Sequence, residues 1–223
     1  MRRLTLTFDN GPCPGATERI LDILAQRKIH ATFFVVGDRM ADPAAKRSAE
    51  RAWEEGHWIG NHTMTHGEPL GLTSDPKHCE KEIGAAQATL GQLAHPDRLF
   101  RPHGKGSIGP HLLSRKAVRY LSEHRYSVIT WNNAPGDWVA PHDHWVEPAL
   151  STIAVQDWSL LVLHDFALSN VMDSLPRFLD KAAERDVEIT QAFPEDCIVM
   201  WHGEARPAIE RCAMAGRKRS EPT

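Results

Sequence analysis

Cysteine is scarce in this chain: four residues in 223, at positions 13, 79, 197 and 212, with no C-x-x-C pair. That scatter argues against a disulfide framework and against a cysteine zinc site, and leaves buried or free thiols. Long apolar runs are missing as well. Leu160–Leu163 is among the longest, far short of the roughly 20 residues a bilayer-spanning helix needs. Neither sign of charge dominates, with 26 Lys+Arg against 29 Asp+Glu and a net charge of −3. No basic field awaits a phosphate backbone, so nucleic acid is not an expected partner. A secretory leader is not visible either. Met1-Arg2-Arg3 runs straight into the alternation Leu4-Thr5-Leu6-Thr7-Phe8, a strand pattern rather than an apolar h-region. The expectation is a cytoplasmic protein without membrane insertion, with the oligomeric state left open.

What the chain does have is histidine: 13 residues, against a background of 41% apolar and 25% charged residues that is ordinary for a globular protein. The length suits one domain over residues 1–205. The segment 206–223, which includes Arg217-Lys218-Arg219, reads as a polar basic tail.

Strand signals at Leu4–Phe8, Ala31–Val36, His57–Asn61, Leu99–Arg101, Tyr126–Trp131, Leu160–His164 and Val187–Thr190 alternate with helical patterns. Apolar residues at three- and four-residue steps, as in Cys79/Ile83/Ala86/Leu90/Leu93, mark the helices. Such alternation implies an α/β fold with helices packed outside a parallel sheet. Seven strands in about 190 residues predict a distorted, incomplete (β/α) barrel rather than a full eight-fold one of about 250 residues. A doubly wound open sheet is the competing architecture. In both, functional groups gather at the carboxyl ends of the strands. Five strand ends here carry groups suited to catalysis: Asp9-Asn10, His62, Arg101, Asp137 and His164.

His62-Thr63-Met64-Thr65-His66 sets two imidazoles four apart just beyond a strand, a spacing able to grip a divalent metal. Alone, that spacing is weak. Asp9-Asn10-Gly11-Pro12 alone reads as a turn. Alternation along the first strand nevertheless puts Thr5, Thr7 and Asp9 on one face and Leu4, Leu6 and Phe8 on the other, so Asp9 points into the barrel mouth.

Taken in order, the motifs resemble those of the polysaccharide deacetylases with a NodB-homology domain, carbohydrate esterase family 4. Thr7–Pro12 is similar to that family's TFDDGP, and His30–Gly37 to the segment that follows it. Asn61–His66 resembles the H-[ST]-x-x-H metal motif and Phe100–Gly104 the arginine-proline motif. Trp131–Trp138 resembles the segment ending in Asp-Trp, and Leu161–Asp165 the last catalytic motif. The likeness spans about residues 3–190.

The resemblance implies a metal-dependent N-deacetylase of N-acetylated sugars. Asp9 would be the general base and His164 the general acid. Arg101 would hold Asp9, and Asp137 would orient His164. His62, His66 and Asn10 would hold a divalent metal, zinc first, with cobalt or another divalent ion as alternatives. Trp138, Val162, Pro102 and His103 would contact the carbohydrate. Two departures stand out. Asn10 occupies the position of the family's second aspartate, which removes one negative charge from the metal site. The arginine motif also lacks the usual aromatic after its prolines, which alters one wall of the groove. Two other readings follow from these features: hydrolysis of a small cyclic amide or acyl ester, and a non-catalytic carbohydrate-binding descendant.

Overall fold

The structure is a computed structural model that describes residues 1–104, 106–168 and 173–213. Strand β1 (Arg3–Asp9) is its spine. β6 (Trp158–His164) runs parallel to β1 along its whole length, in a register that sets Asp9 directly beside His164. On its other side β1 pairs with β2 (Thr32–Val35), and the parallel order continues through β3 (Trp58–Asn61), β4 (Leu99–Phe100) and β5 (Ser127–Ile129). β7 (Glu188–Ile189) is a short parallel addition at the start of β1. Past β5 the chain reaches β6 again through one bridge, Asn133↔Leu161, so the sheet curls nearly back on itself. The expected incomplete barrel with seven parallel strands is what forms.

The alternation in β1 decides what faces what. Leu4, Leu6 and Phe8 pack outward against α1 (Ala16–Gln26) and α7 (Ser174–Ala183), in one cluster with Ile20, Leu21, Leu24 and Phe178. Each such side chain contributes about 1.5–3 kcal/mol on burial. Thr5, Thr7 and Asp9 lie on the inner face, where Phe34, Leu160, Val162 and Phe193 belong to a second cluster. The inner face therefore carries its polar groups on a packed floor, with the carboxyl ends of the strands left open above it. No helix among the described residues is long and apolar enough to cross a membrane.

Three features differ from expectation. β8 (Ile198–Trp201) and β9 (Glu204–Ala205) form an antiparallel hairpin on β5 that the strand signals did not include. Its two-residue turn is His202-Gly203, both with positive φ. That geometry suits a tight hairpin, but His-Gly lacks the usual Asn-Gly signature. The helix expected over Cys79–Leu93 is divided into a wide turn at Glu80–Gly84, α3 (Ala85–Leu90) and a tight turn at Gly91–Leu93. The buried Asn61 side chain donates to the Ile83 carbonyl at 2.9 Å, an intrusion of the kind that disturbs a helical ladder. The segment expected as a tail from Arg206 packs on the barrel as far as Ala213. Cys212 there is fully buried and its carbonyl accepts from the Leu113 amide. Arg217-Lys218-Arg219 lies outside the described residues, as does Lys105.

Candidate active site

The last residue of β1, Asp9, stands at the barrel mouth, and Arg101, directly after β4, reaches across beneath it. Arg101 is wholly buried. Its Nη1 donates to both Asp9 Oδ1 (2.8 Å) and Thr7 Oγ1 (2.7 Å), while Nε and Nη2 donate to the carbonyls of Ile129 and Thr130. The guanidinium also lies 4.0 Å over the Phe34 ring. Burial alone would push the Asp9 carboxyl up, but Arg101, with His62 and His164, holds it below the usual carboxylate range.

His164 ends β6. Asp137 is completely buried and accepts twice from that residue: Oδ1 lies 2.9 Å from the ring Nδ1, and Oδ2 accepts from the backbone amide at 2.7 Å. A carboxylate only accepts, so Nδ1 carries a proton and Nε2 faces the pocket. Burial alone would lower the His164 pKa, but the Asp137 hydrogen bond and charge, with Asp9 and Asp165, raise it above the ordinary value.

The loop after β3 is held tightly. Asn61 Oδ1 accepts from the Thr63 amide and Thr63 Oγ1 from the His66 amide. Asn10, Thr63 and His66 all have positive φ, a conformation that a β-branched residue such as Thr63 adopts only under constraint. His62 Nδ1 donates to the Arg101 carbonyl at 2.8 Å, which leaves Nε2 with its lone pair 3.6 Å from Asp9 Oδ2. Burial pushes the His62 pKa down to about 3 and lowers that of His66 too. Asn10 Oδ1 is buried with no hydrogen-bond partner among the described residues.

His62 Nε2 and Asn10 Oδ1 are thus unprotonated acceptors at the mouth, with the neutral-leaning His66 ring beside them. A cation answers that arrangement, and a set of two imidazoles and an amide oxygen fits a divalent ion. Among the described residues no group of three or more His, Cys, Asp or Glu side chains is placed to hold a metal. The candidate set differs in having an amide as its third member.

Around these groups lies a pocket of about 190 Å³. Pro102, His103, Trp138 and Val162 line it, together with Asp9, Asn10, His62, His66 and His164. Arg101 and Asp137 lie behind its wall rather than on it. His103 lies within the altered arginine motif and reaches the pocket. Its ring lies 4.2 Å from that of His66, tilted by 32°, and burial brings its pKa to about 4. Trp138 meets His164 edge-on at 5.1 Å. Phe166, not singled out in the sequence, lies 5.6 Å from the His164 ring and is 41% exposed. Nothing local in the sequence marks it, since its exposure beside His164 is read only from the fold. Asp165 was also passed over. It is buried, bonds Thr17 Oγ1, and a Cβ at Gly11 would overlap its carboxylate, so it braces the loop that follows Asp9 and carries Asn10.

Residues 1–135 match the polysaccharide deacetylase family. A chitooligosaccharide deacetylase of Rhizobium leguminosarum bv. trifolii is 34% identical over 74% of this chain and 72% of its own. A peptidoglycan-N-acetylglucosamine deacetylase of Bacillus cereus is 29% identical over 73% and 72%. Among solved structures, a peptidoglycan N-acetylglucosamine deacetylase superposes with a TM-score of 0.70 at 25% identity, covering 85% of each chain.

Proposed function

The chain belongs to the polysaccharide deacetylase family, and from that premise we propose that it hydrolyses the N-acetyl group of an N-acetylated sugar within an oligosaccharide, releasing acetate and a free amine. The observation that carries the reading is the pairing of Asp9 and His164. They are register partners on adjacent strands, and neighbours push them toward opposite charge states. A hydrolytic amide cleavage needs just that: one group to accept a proton from water and one to give a proton to the departing nitrogen.

In this account Asp9 Oδ2 accepts the proton as water attacks the acetyl carbon, while Arg101 keeps the carboxylate ionised and fixed. His164 protonates the leaving nitrogen from Nε2 as the C–N bond breaks, and Asp137 bears the charge that this imidazolium needs. Val162 and Trp131, both on the pocket wall, exclude water around the methyl group. Trp138 offers a flat face to the sugar ring. His62, His66 and Asn10 would hold a divalent ion, which supplies Lewis-acid polarisation and lowers the pKa of a water toward about 7. Glycosidic cleavage by paired carboxylates is disfavoured, because Asp137 and Asp165 are buried away from the pocket and leave Asp9 as its lone carboxylate among the described residues.

The reading is tested by acetate release from N-acetylglucosamine oligomers. A chelator should abolish it, and zinc or cobalt should restore it. Turnover of imides or simple esters with none of N-acetyl sugars would contradict it.

A pH dependence follows from the Asp137–His164 pair. The acid form of His164 is required, and its raised pKa keeps it available above the ordinary imidazole value of about 6.5. Asp137→Asn removes the charge that raises it. The alkaline limb of kcat against pH should move to lower pH in that variant, and an unmoved limb would show that another group sets it.

A further inference from the structure

Beside the catalytic pocket lies a second, larger cleft of about 390 Å³, within the volume range typical of small-ligand sites. The two share Asn10, His66 and Phe166, so they form one groove that passes over the candidate reaction centre. Their chemistry differs. Trp131, Ala134, Trp138 and Val162 make the first predominantly apolar, whereas Asp38, Arg39 and Thr65 give the second charged and polar walls. Arg39 is exposed, and its guanidinium makes no hydrogen bond or ion pair with any described residue.

The base of that arginine is held in place. Arg39 sits in the tight turn Gly37–Ala41. The Gly37 and Asp38 amides donate to the carbonyls of Thr63 and Met64, in the very loop that carries His62 and His66. The approach is so close that a Cβ at Gly37 would overlap Met64 Sδ. The backbone that carries the cation is thereby anchored to the loop of His62 and His66, while the exposed guanidinium has no counter-ion among the described residues.

We infer that this cleft is a second sugar subsite for a unit that bears a carboxylate, with Arg39 as its recognition group. The inference rests on the deacetylase reading and goes further in naming the substrate's neighbouring unit. A guanidinium presents a planar fork that pairs with a carboxylate through two charge-assisted hydrogen bonds. Phe166, at the junction of the two clefts, offers an aromatic surface to the ring between them. Asp38, the other charged group on the cleft, can accept from sugar hydroxyls and repels an acid placed out of register.

Three oligosaccharides of equal length test this: neutral N-acetylglucosamine units, alternation with a uronic acid, and alternation with a hexosamine carrying a lactyl ether. At least one acidic oligomer should show a KM about tenfold below the neutral one, a ratio equivalent to 1.4 kcal/mol. The advantage should shrink as salt screens the pair. Arg39→Gln should collapse the acidic-to-neutral ratio toward one, and Arg39→Glu should invert it. A ratio that both variants leave unchanged, or a wild-type preference for the neutral oligomer, overturns the inference. Calorimetric binding of the same oligomers gives the ratio independently of cleavage. A preserved binding preference with no acetate from any oligomer would therefore defeat the deacetylase reading while sparing the subsite.

Discussion

Asp9→Asn and His164→Ala should each lower kcat on an N-acetylated oligosaccharide by about 10²–10⁴-fold, the range of a positioned acid or base. The two roles differ, and so should the signatures. Asp9→Asn preserves shape and the Arg101 contact but removes the proton acceptor, so the loss should fall on kcat. His164→Ala also removes the ring that Trp138 and Phe166 contact, so KM should rise as well. Because both groups serve one proton-transfer cycle, the double variant should lose less than the product of the two single losses. Product-release kinetics measured by coupled acetate detection would show it. Fully multiplicative losses would indicate that the residues act in separate steps.

Arg101→Met should have the largest effect on stability. The arginine is fully buried, carries the charge that offsets Asp9 and spans Thr7, Asp9 and two carbonyls on the inner face. Removing one partner of a buried pair leaves an uncompensated charge and costs about 3–5 kcal/mol. In a domain of this size that is roughly a 10 °C fall in Tm. The sign of the pH dependence is specific. The folded-state pKa of Asp9 is depressed in the wild type, so its contribution is present above the unfolded carboxylate value and is lost as pH falls through the folded value. In the variant, burial would instead raise the Asp9 pKa. The gap in Tm between the two proteins should be widest at neutral pH and narrow toward about pH 4. A constant gap across that range would mean that lost packing, rather than the charge pair, accounts for the destabilisation.

The convergence of the candidate residues at one mouth was legible in the sequence because strand-end position carries it. The alternation in β1 sets Asp9 inward with Thr7, and the parallel β6 brings His164 beside it. Local pattern suffices for such groups. The β8–β9 hairpin was not legible, since a four-residue apolar run with a His-Gly turn matches a buried helix segment equally well. The burial of Cys212 depends on a contact with Leu113, some hundred positions away, and no local signal reports it. Arg39 and Phe166 acquire their meaning only where the loops after β2, β3 and β6 converge. The role of Asp165 depends on the close approach of Gly11. Each of these is a tertiary juxtaposition of residues whose types are unremarkable along the chain.

Deacetylation at the Asp9–His164 pocket is tested most directly by incubating the metal-loaded protein with an N-acetylglucosamine oligomer and quantifying acetate, free amine and new reducing ends together. The wild type should release acetate and amine in equal amounts with no new reducing ends, and the Asp9→Asn, His164→Ala double variant should release neither. Equal acetate release by the double variant, or new reducing ends in place of amine, would contradict it.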